Sequence, residues 1–295
     1  MARIALNGVE IDYAVEGPES GTPLLLVMGL AMQRTAWPPR FIEALIARGF
    51  RVITFDNRDV GLSTRFESHG TPNLAAIALK RLVGAAQHLP FRLHDIADDA
   101  AALLAALKIE TAHVAGISMG GMVAQHLAIR HAPRVRTLTL MATSSGRLGL
   151  PLPRPKVMNI VRTRPYSGDV EAAVDYSVRL FTALAGSRFP PDRAWLEKRA
   201  RLGAERALPG TGVLRQFAAI MADADRREQL RDVRTPTLIL HGDEDPMVPV
   251  AHAHDLRRVL PHAVFEIIPG WGHDLPQPLL EPFADRIAQL ARIPA

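Results

Sequence analysis

Two apolar rhythms alternate along the chain. Short, mostly apolar runs at Pro23 to Met28, Arg51 to Phe55, Ala112 to Ala115, Val135 to Met141, Thr237 to Leu240 and Ala263 to Ile268 predict strands covered on both faces, which have no solvent side to carry polar residues. Between them, apolar residues recur at helical spacing over Phe41 to Ala47, His94 to Leu107, Met122 to Ile129, Ala251 to Leu260 and Leu279 to Ala291. The stretch from Arg3 to Val15 instead alternates apolar and polar positions about Asn7-Gly8, which predicts an antiparallel hairpin at one edge. Strands that alternate with helices pair in parallel. The pattern therefore predicts an α/β fold, a mostly parallel sheet flanked by helices, with reactive side chains in loops at the carboxyl ends of the strands.

Two stretches break this rhythm. From Gly146 to Asp232 no strand run occurs, only helical patterns at Lys156 to Val161, Val170 to Leu184, Arg193 to Ala207 and Val213 to Ala222, separated by Pro and Gly. This predicts a helical lid at residues 146–231 inserted into a core formed by residues 1–145 and 232–295. A smaller excursion, Arg65 to Pro90, carries Leu74, Ile77, Leu79, Leu82 and Val83 and is expected to form a flap beside the lid.

Composition removes several functional classes. No cysteine is present, which excludes disulfides, thiolate metal sites and a cysteine nucleophile together. The net charge of +5 comes from arginines dispersed along the chain, and the nearest approach to a run, Arg226, Arg227 and Arg231, is interrupted by Glu228. No nucleic-acid partner is expected from such scatter. No apolar run approaches the roughly 18 residues that cross a bilayer, and the N-terminus reads as a strand rather than a signal peptide. No membrane insertion and a cytoplasmic location are the expectation.

The richest stretch is Gly116, Ile117, Ser118, Met119, Gly120, set between a predicted strand and a predicted helix. G-x-S-x-G in that setting is a nucleophile elbow: the serine occupies a strained turn, and the residues two before and two after it, Gly116 and Gly120, must lack side chains. The following helix aims its N-terminal N–H groups at the serine, where an oxyanion would form.

A serine hydroxyl needs a base and a group to orient that base. Of the 11 histidines, His273 follows the last predicted strand in the tight loop Pro269 to Gly272, whereas His113 lies in a strand and His126, His131, His252 and His254 fall on helices. His252 and His254, two apart on a helix, face different ways and make no metal pair. The loop after Leu240 offers Asp243, Glu244 and Asp245. Asp245 is expected to be the acid, since two residues turn the chain after Gly242 and Pro246 stiffens the exit. Asp243 and Glu244 are expected to cap the loop or face solvent. Backbone N–H groups of Met119 and of Leu30, after the Pro23 to Met28 strand, are expected to line the oxyanion hole.

These residues resemble the α/β-hydrolase superfamily over nearly the whole chain. Val27-Met28-Gly29-Leu30, Trp37-Pro38 and Phe55 to Ser63 are similar to carboxylesterases of the aclacinomycin methylesterase type. The resemblance implies an α/β-hydrolase fold with Ser118, Asp245 and His273 as catalytic triad, Leu30 and Met119 as oxyanion donors, and a structural loop carrying Asp56, Arg58 and Asp59. Met28 stands where many relatives have histidine, and the flap is longer. The implied activity is a serine carboxylesterase acting on small to medium, largely apolar esters, with no cofactor and no metal, as a monomer or homodimer. C–C bond hydrolysis, lactone opening and cofactor-free perhydrolysis would use the same triad. A ligand-binding protein with a hydrolase shell is the alternative from another class.

Overall fold

A computed structural model describes residues 2–165, 169–208 and 210–293. Eight strands form one sheet: β1 (Ala2–Leu6), β2 (Val9–Glu16), β3 (Thr22–Val27), β4 (Phe50–Phe55), β5 (Ala112–Ile117), β6 (Val135–Met141), β7 (Thr237–Gly242) and β8 (Val264–Ile268). They lie in the order β1-β2-β4-β3-β5-β6-β7-β8. Pairings β1 with β2 and β2 with β4 are antiparallel, and all others are parallel. The hairpin expected about Asn7-Gly8 is the β1–β2 turn, and both of its central residues have positive φ, 50° and 76°.

Helices cover both faces. They are α1 (Pro39–Ala47), α2 (Leu74–Leu82), α3 (Leu93–Ala106), α4 (Met119–Arg130), α5 (Pro155–Arg162), α6 (Val170–Leu184), α7 (Arg193–Arg206), α8 (Gly212–Ala222), α9 (Arg227–Leu230), α10 (Ala251–Val259) and α11 (Gln277–Ala291). Alternate residues of β3 show why its run is apolar throughout: Leu24 and Leu26 pack with α1 and α11, while Leu25 and Val27 pack with α3 and α4. The final helix starts at Gln277, two residues before the apolar pattern does, because Pro278 sits comfortably in a first turn whose N–H groups need no partner.

Helices α5 to α9 fill the stretch between β6 and β7 where no strand was expected. The short α9 was not foreseen, since four residues give no periodicity to read. Asp169 caps α6 and Asp192 caps α7, each accepting from a first-turn N–H. Met1, residues 166–168, Pro209 and residues 294–295, which the expected lid and core boundaries include, lie outside the described residues. The excursion at 65–90 holds a 3-10 turn at Glu67–His69 and the α-helix α2, which packs on α8; Arg81 in α2 donates to the Gly146 carbonyl at 2.8 Å and the Met221 carbonyl at 3.0 Å.

The chain leaves β3 for β4 on one side and later enters β5 on the other. This reversal opens a crevice at the carboxyl ends of β3 and β5, the place where such sheets bind ligands.

Candidate active site

Ser118 joins β5 to α4 at that crevice. Its backbone (φ 56°, ψ −122°) lies in a region that residues with a side chain adopt only under constraint. The constraint is visible. Its N–H donates to the Met141 carbonyl at 2.9 Å, and its carbonyl accepts from Gly121 N at 3.0 Å and Thr143 Oγ1 at 2.7 Å. A Cβ on Gly116 would collide with the Gly120 carbonyl, and one on Gly120 with the Val27 carbonyl of β3. Small residues at these two positions let strand, helix and the neighbouring strand meet at the serine.

His273 Nε2 lies 2.9 Å from Ser118 Oγ, and His273 Nδ1 lies 2.7 Å from Asp245 Oδ2. A carboxylate can only accept, so the neutral ring carries its proton on Nδ1 and turns the Nε2 lone pair to the serine hydroxyl. Asp245 is 2% exposed; its Oδ1 accepts from Met247 N at 2.8 Å and Val248 N at 2.7 Å. Those two bonds fix the carboxylate plane while Oδ2 remains for the imidazole. The three carboxylates of this loop divide the work by position. Asp243 Oδ1 accepts from Gly270 N at 2.7 Å, which ties down the loop that carries His273, and Glu244 accepts from the Ser187 N–H and hydroxyl.

A second histidine, His241, lies 3.5 Å from Asp245 Oδ2, but its Nε2 donates to the Val248 carbonyl at 2.7 Å. Burial, opposed by Asp245, holds it below the usual imidazole range, so it stays neutral and leaves Asp245 to His273. Next to His273, burial pushes the Asp274 carboxyl up to about 7, against the pull of His273 and Arg199. The Arg199 guanidinium stacks 4.2 Å from the centre of the Phe181 ring, and burial pushes it down to about 10.

The loop after β3 lies against the serine: a Cβ on Gly29 would stand 3.4 Å from Ser118 Cβ. The N–H groups of Leu30 and Met119 are not taken up by the hydrogen bonds of this loop or of α4. The α4 N-terminus adds the positive end of its dipole. Beside this loop a cavity of about 120 Å³ opens, lined among others by Ala31, Met32, Val60, Tyr176, Phe181 and Arg199. The structure thus joins Ser118, His273 and Asp245 by hydrogen bonds, with Met119 next in the chain and the Gly29–Leu30 loop beside the serine.

A family description, alpha/beta hydrolase fold, matches residues 22–276. The chain belongs to the alpha/beta hydrolase fold family. This alpha/beta hydrolase is 29% identical to rhodomycin D methylesterase DauP of Streptomyces sp. (strain C5) over 294 residues, covering 94% of this chain and 93% of that protein. Its identity to rhodomycin D methylesterase DnrP of Streptomyces peucetius is also 29%, over 295 residues, with coverage of 94% and 93%. Among solved structures, a mutant of the meta-cleavage product hydrolase CumD of Pseudomonas fluorescens IP01 superposes with a TM-score of 0.73 at 22% identity, covering 98% of this chain and 97% of that one.

Several residues that shape the hydrolase site were given no role from the sequence, Asn57 within the Phe55 to Ser63 stretch and Gln216 outside any motif. Asn57 Nδ2 donates to the Met28 carbonyl at 2.9 Å, and Gln216, on α8, accepts from Ala31 N at 2.8 Å. The main chain of α6 takes part too, since Leu184 accepts from His273 N at 2.7 Å. Asp56, Arg58 and Asp59, the loop that resembled a structural one, are buried in ion pairs: Asp56 with Arg206, Arg58 with Asp99, Asp59 with Arg215. A polar residue in a sequence does not reveal which distant group it meets; only the partners' positions do. Among the described residues no helix is long and apolar enough to cross a membrane.

Proposed function

We propose that the protein is a serine carboxylesterase for small-molecule esters of small to medium, largely apolar substrates. The observation that carries this reading is the unbroken line of hydrogen bonds from Ser118 through His273 to Asp245 at the switch-point crevice. The similarity to two methylesterases supports an ester as the bond attacked.

In the proposed reaction, His273 Nε2 takes the hydroxyl proton as Ser118 Oγ attacks the ester carbonyl. Asp245 holds the ring in the required tautomer and stabilises the imidazolium. Negative charge that develops on the carbonyl oxygen is met by the Leu30 and Met119 N–H groups, which are fixed before the reaction and need no reorganisation. The imidazolium then gives its proton to the departing alcohol. Water, activated by the same histidine, attacks the acyl-serine and releases the acid. Residues 146–231 serve as a lid whose apolar surface, with the cavity at Phe181 and Met32, receives the apolar part of the substrate.

Turnover of p-nitrophenyl esters from acetate to palmitate by wild type and Ser118→Ala tests the reading. We expect cleavage of some chain length by the wild type and a loss of at least about 10³-fold in the variant. No ester cleavage by the wild type, with turnover of a ring-cleavage diketone instead, would overturn it in favour of C–C bond hydrolysis.

A further inference from the structure

The loop that carries Leu30 does not hold its own shape. Ala31 has φ 60°, a left-handed backbone unfavourable for a residue with a Cβ. Within the loop, the only backbone bond that steadies the Gly29–Leu30 peptide is a long one, Met32 N to the Gly29 carbonyl at 3.3 Å. The support comes from elsewhere. On one side Asn57 Nδ2 binds the Met28 carbonyl at 2.9 Å. On the other, Gln216 Oε1 accepts from Ala31 N at 2.8 Å while its Nε2 donates to the Arg58 carbonyl at 2.6 Å.

Gln216 is fully buried and belongs to α8, in the helical segment between β6 and β7. Its amide has one donor and one acceptor aimed at two different core loops, and no other side-chain type of that length offers both without a charge. The helix cannot slide beneath it. Arg215, the preceding residue, forms a two-pronged ion pair with Asp59 at 2.5 and 2.9 Å, and a Cβ on Gly212 would strike the Asp59 carbonyl.

We propose that Gln216 is a positioning residue for the oxyanion hole: by fixing the Leu30–Ala31 peptide from α8, it aims the Leu30 N–H at the developing oxyanion. This rests on the esterase reading of Ser118 and Leu30. The inserted helices thereby complete the catalytic geometry as well as covering it.

The test compares wild type with Gln216→Met, which keeps the side-chain length but neither hydrogen bond. Two quantities are read per folded, titrated site: the rate constant for phosphonylation of Ser118 by a fluorophosphonate, whose P–O oxygen enters the same hole, and kcat and KM on the best p-nitrophenyl ester. We expect kcat and the phosphonylation rate to fall together by about 10- to 100-fold, with KM changed less than about threefold, the signature of a contact made only in the transition state. Gln216→Leu, of similar volume and likewise without either hydrogen bond, replaces the Met variant if that does not fold and should show the same loss. Rates within twofold of wild type in a folded variant, or a change confined to KM, would overturn the proposal. If the wild type itself cleaves no ester, the esterase reading fails, while the phosphonylation comparison still decides the role of Gln216.

Discussion

At the residue scale, the site depends on which oxygen of which carboxylate faces the imidazole. Asp245→Asn keeps Oδ1 and its bonds to Met247 N and Val248 N but replaces Oδ2 with an NH₂ group that cannot accept from His273 Nδ1. The ring would then favour the other tautomer. We expect kcat to drop by about 10³- to 10⁴-fold with little change in melting temperature. Asp243→Asn keeps the oxygen that binds Gly270 N, and its kcat should stay within about tenfold of wild type. Steady-state kinetics of both variants checks the ranking, and the opposite order would move the acid to Asp243. Sequence spacing narrowed the choice to three neighbouring carboxylates. Turn spacing and Pro246 favoured Asp245 among them, and the directions in which the side chains leave the loop turn Asp245 to His273, Asp243 to Gly270 N and Glu244 to Ser187.

At the element scale, α7 and α8 are anchored to the core by buried charge. Arg206 of α7 pairs with Asp56 and Asp12, and Arg215 of α8 with Asp59. Asp59 and Arg215 are both essentially without solvent contact, so removing the cation strands a carboxylate in a poorly solvated place. Arg215→Met should destabilise the protein by about 3–5 kcal/mol, measured by urea unfolding, and adding Asp59→Asn should recover a substantial part of that. A loss below about 1 kcal/mol would mean that water reaches the pair. The helices themselves were legible from periodicity, since Val170–Leu184 was foreseen residue for residue. Their attachment was not, because Arg206 and Arg215 sit among many arginines of the same local pattern.

At the scale of the whole molecule, burial of neutral imidazoles makes stability depend on pH. Burial, aided by Arg136, pushes His113 down to about 4, and burial with Arg226 and Arg130 pushes His126 down to about 3. Both values lie below that of the unfolded chain, so the unfolded state binds more protons as pH drops below about 6.5, and stability is lost there. By linkage His113 removes about 2 kcal/mol between pH 8 and pH 5, whereas the Asp223 carboxylate, 2.9 Å from His126 Nε2, opposes the effect of burial on that ring. Asp274, raised to about 7, works the other way: its unfavourable ionisation in the folded state is relieved on acidification. The pH dependence is therefore best read as a difference. His113→Gln should lessen the destabilisation between pH 8 and pH 5 by about 2 kcal/mol in urea midpoints corrected for slope, and an unchanged pH dependence would show His113 protonated in the folded state. The chain by itself determined the alternation of strands and helices, the strained elbow at Ser118 and the type of chemistry, because periodicity, glycine placement and turn residues act over a few neighbours. The tertiary structure alone decided which distant groups hold the site residues in place. Strands β3, β5, β7 and β8 bring residues 30, 118, 245 and 273 to one edge. The contacts that steady them, such as Gln216 on Ala31 and Leu184 on His273, join segments whose separation along the chain carries no pattern.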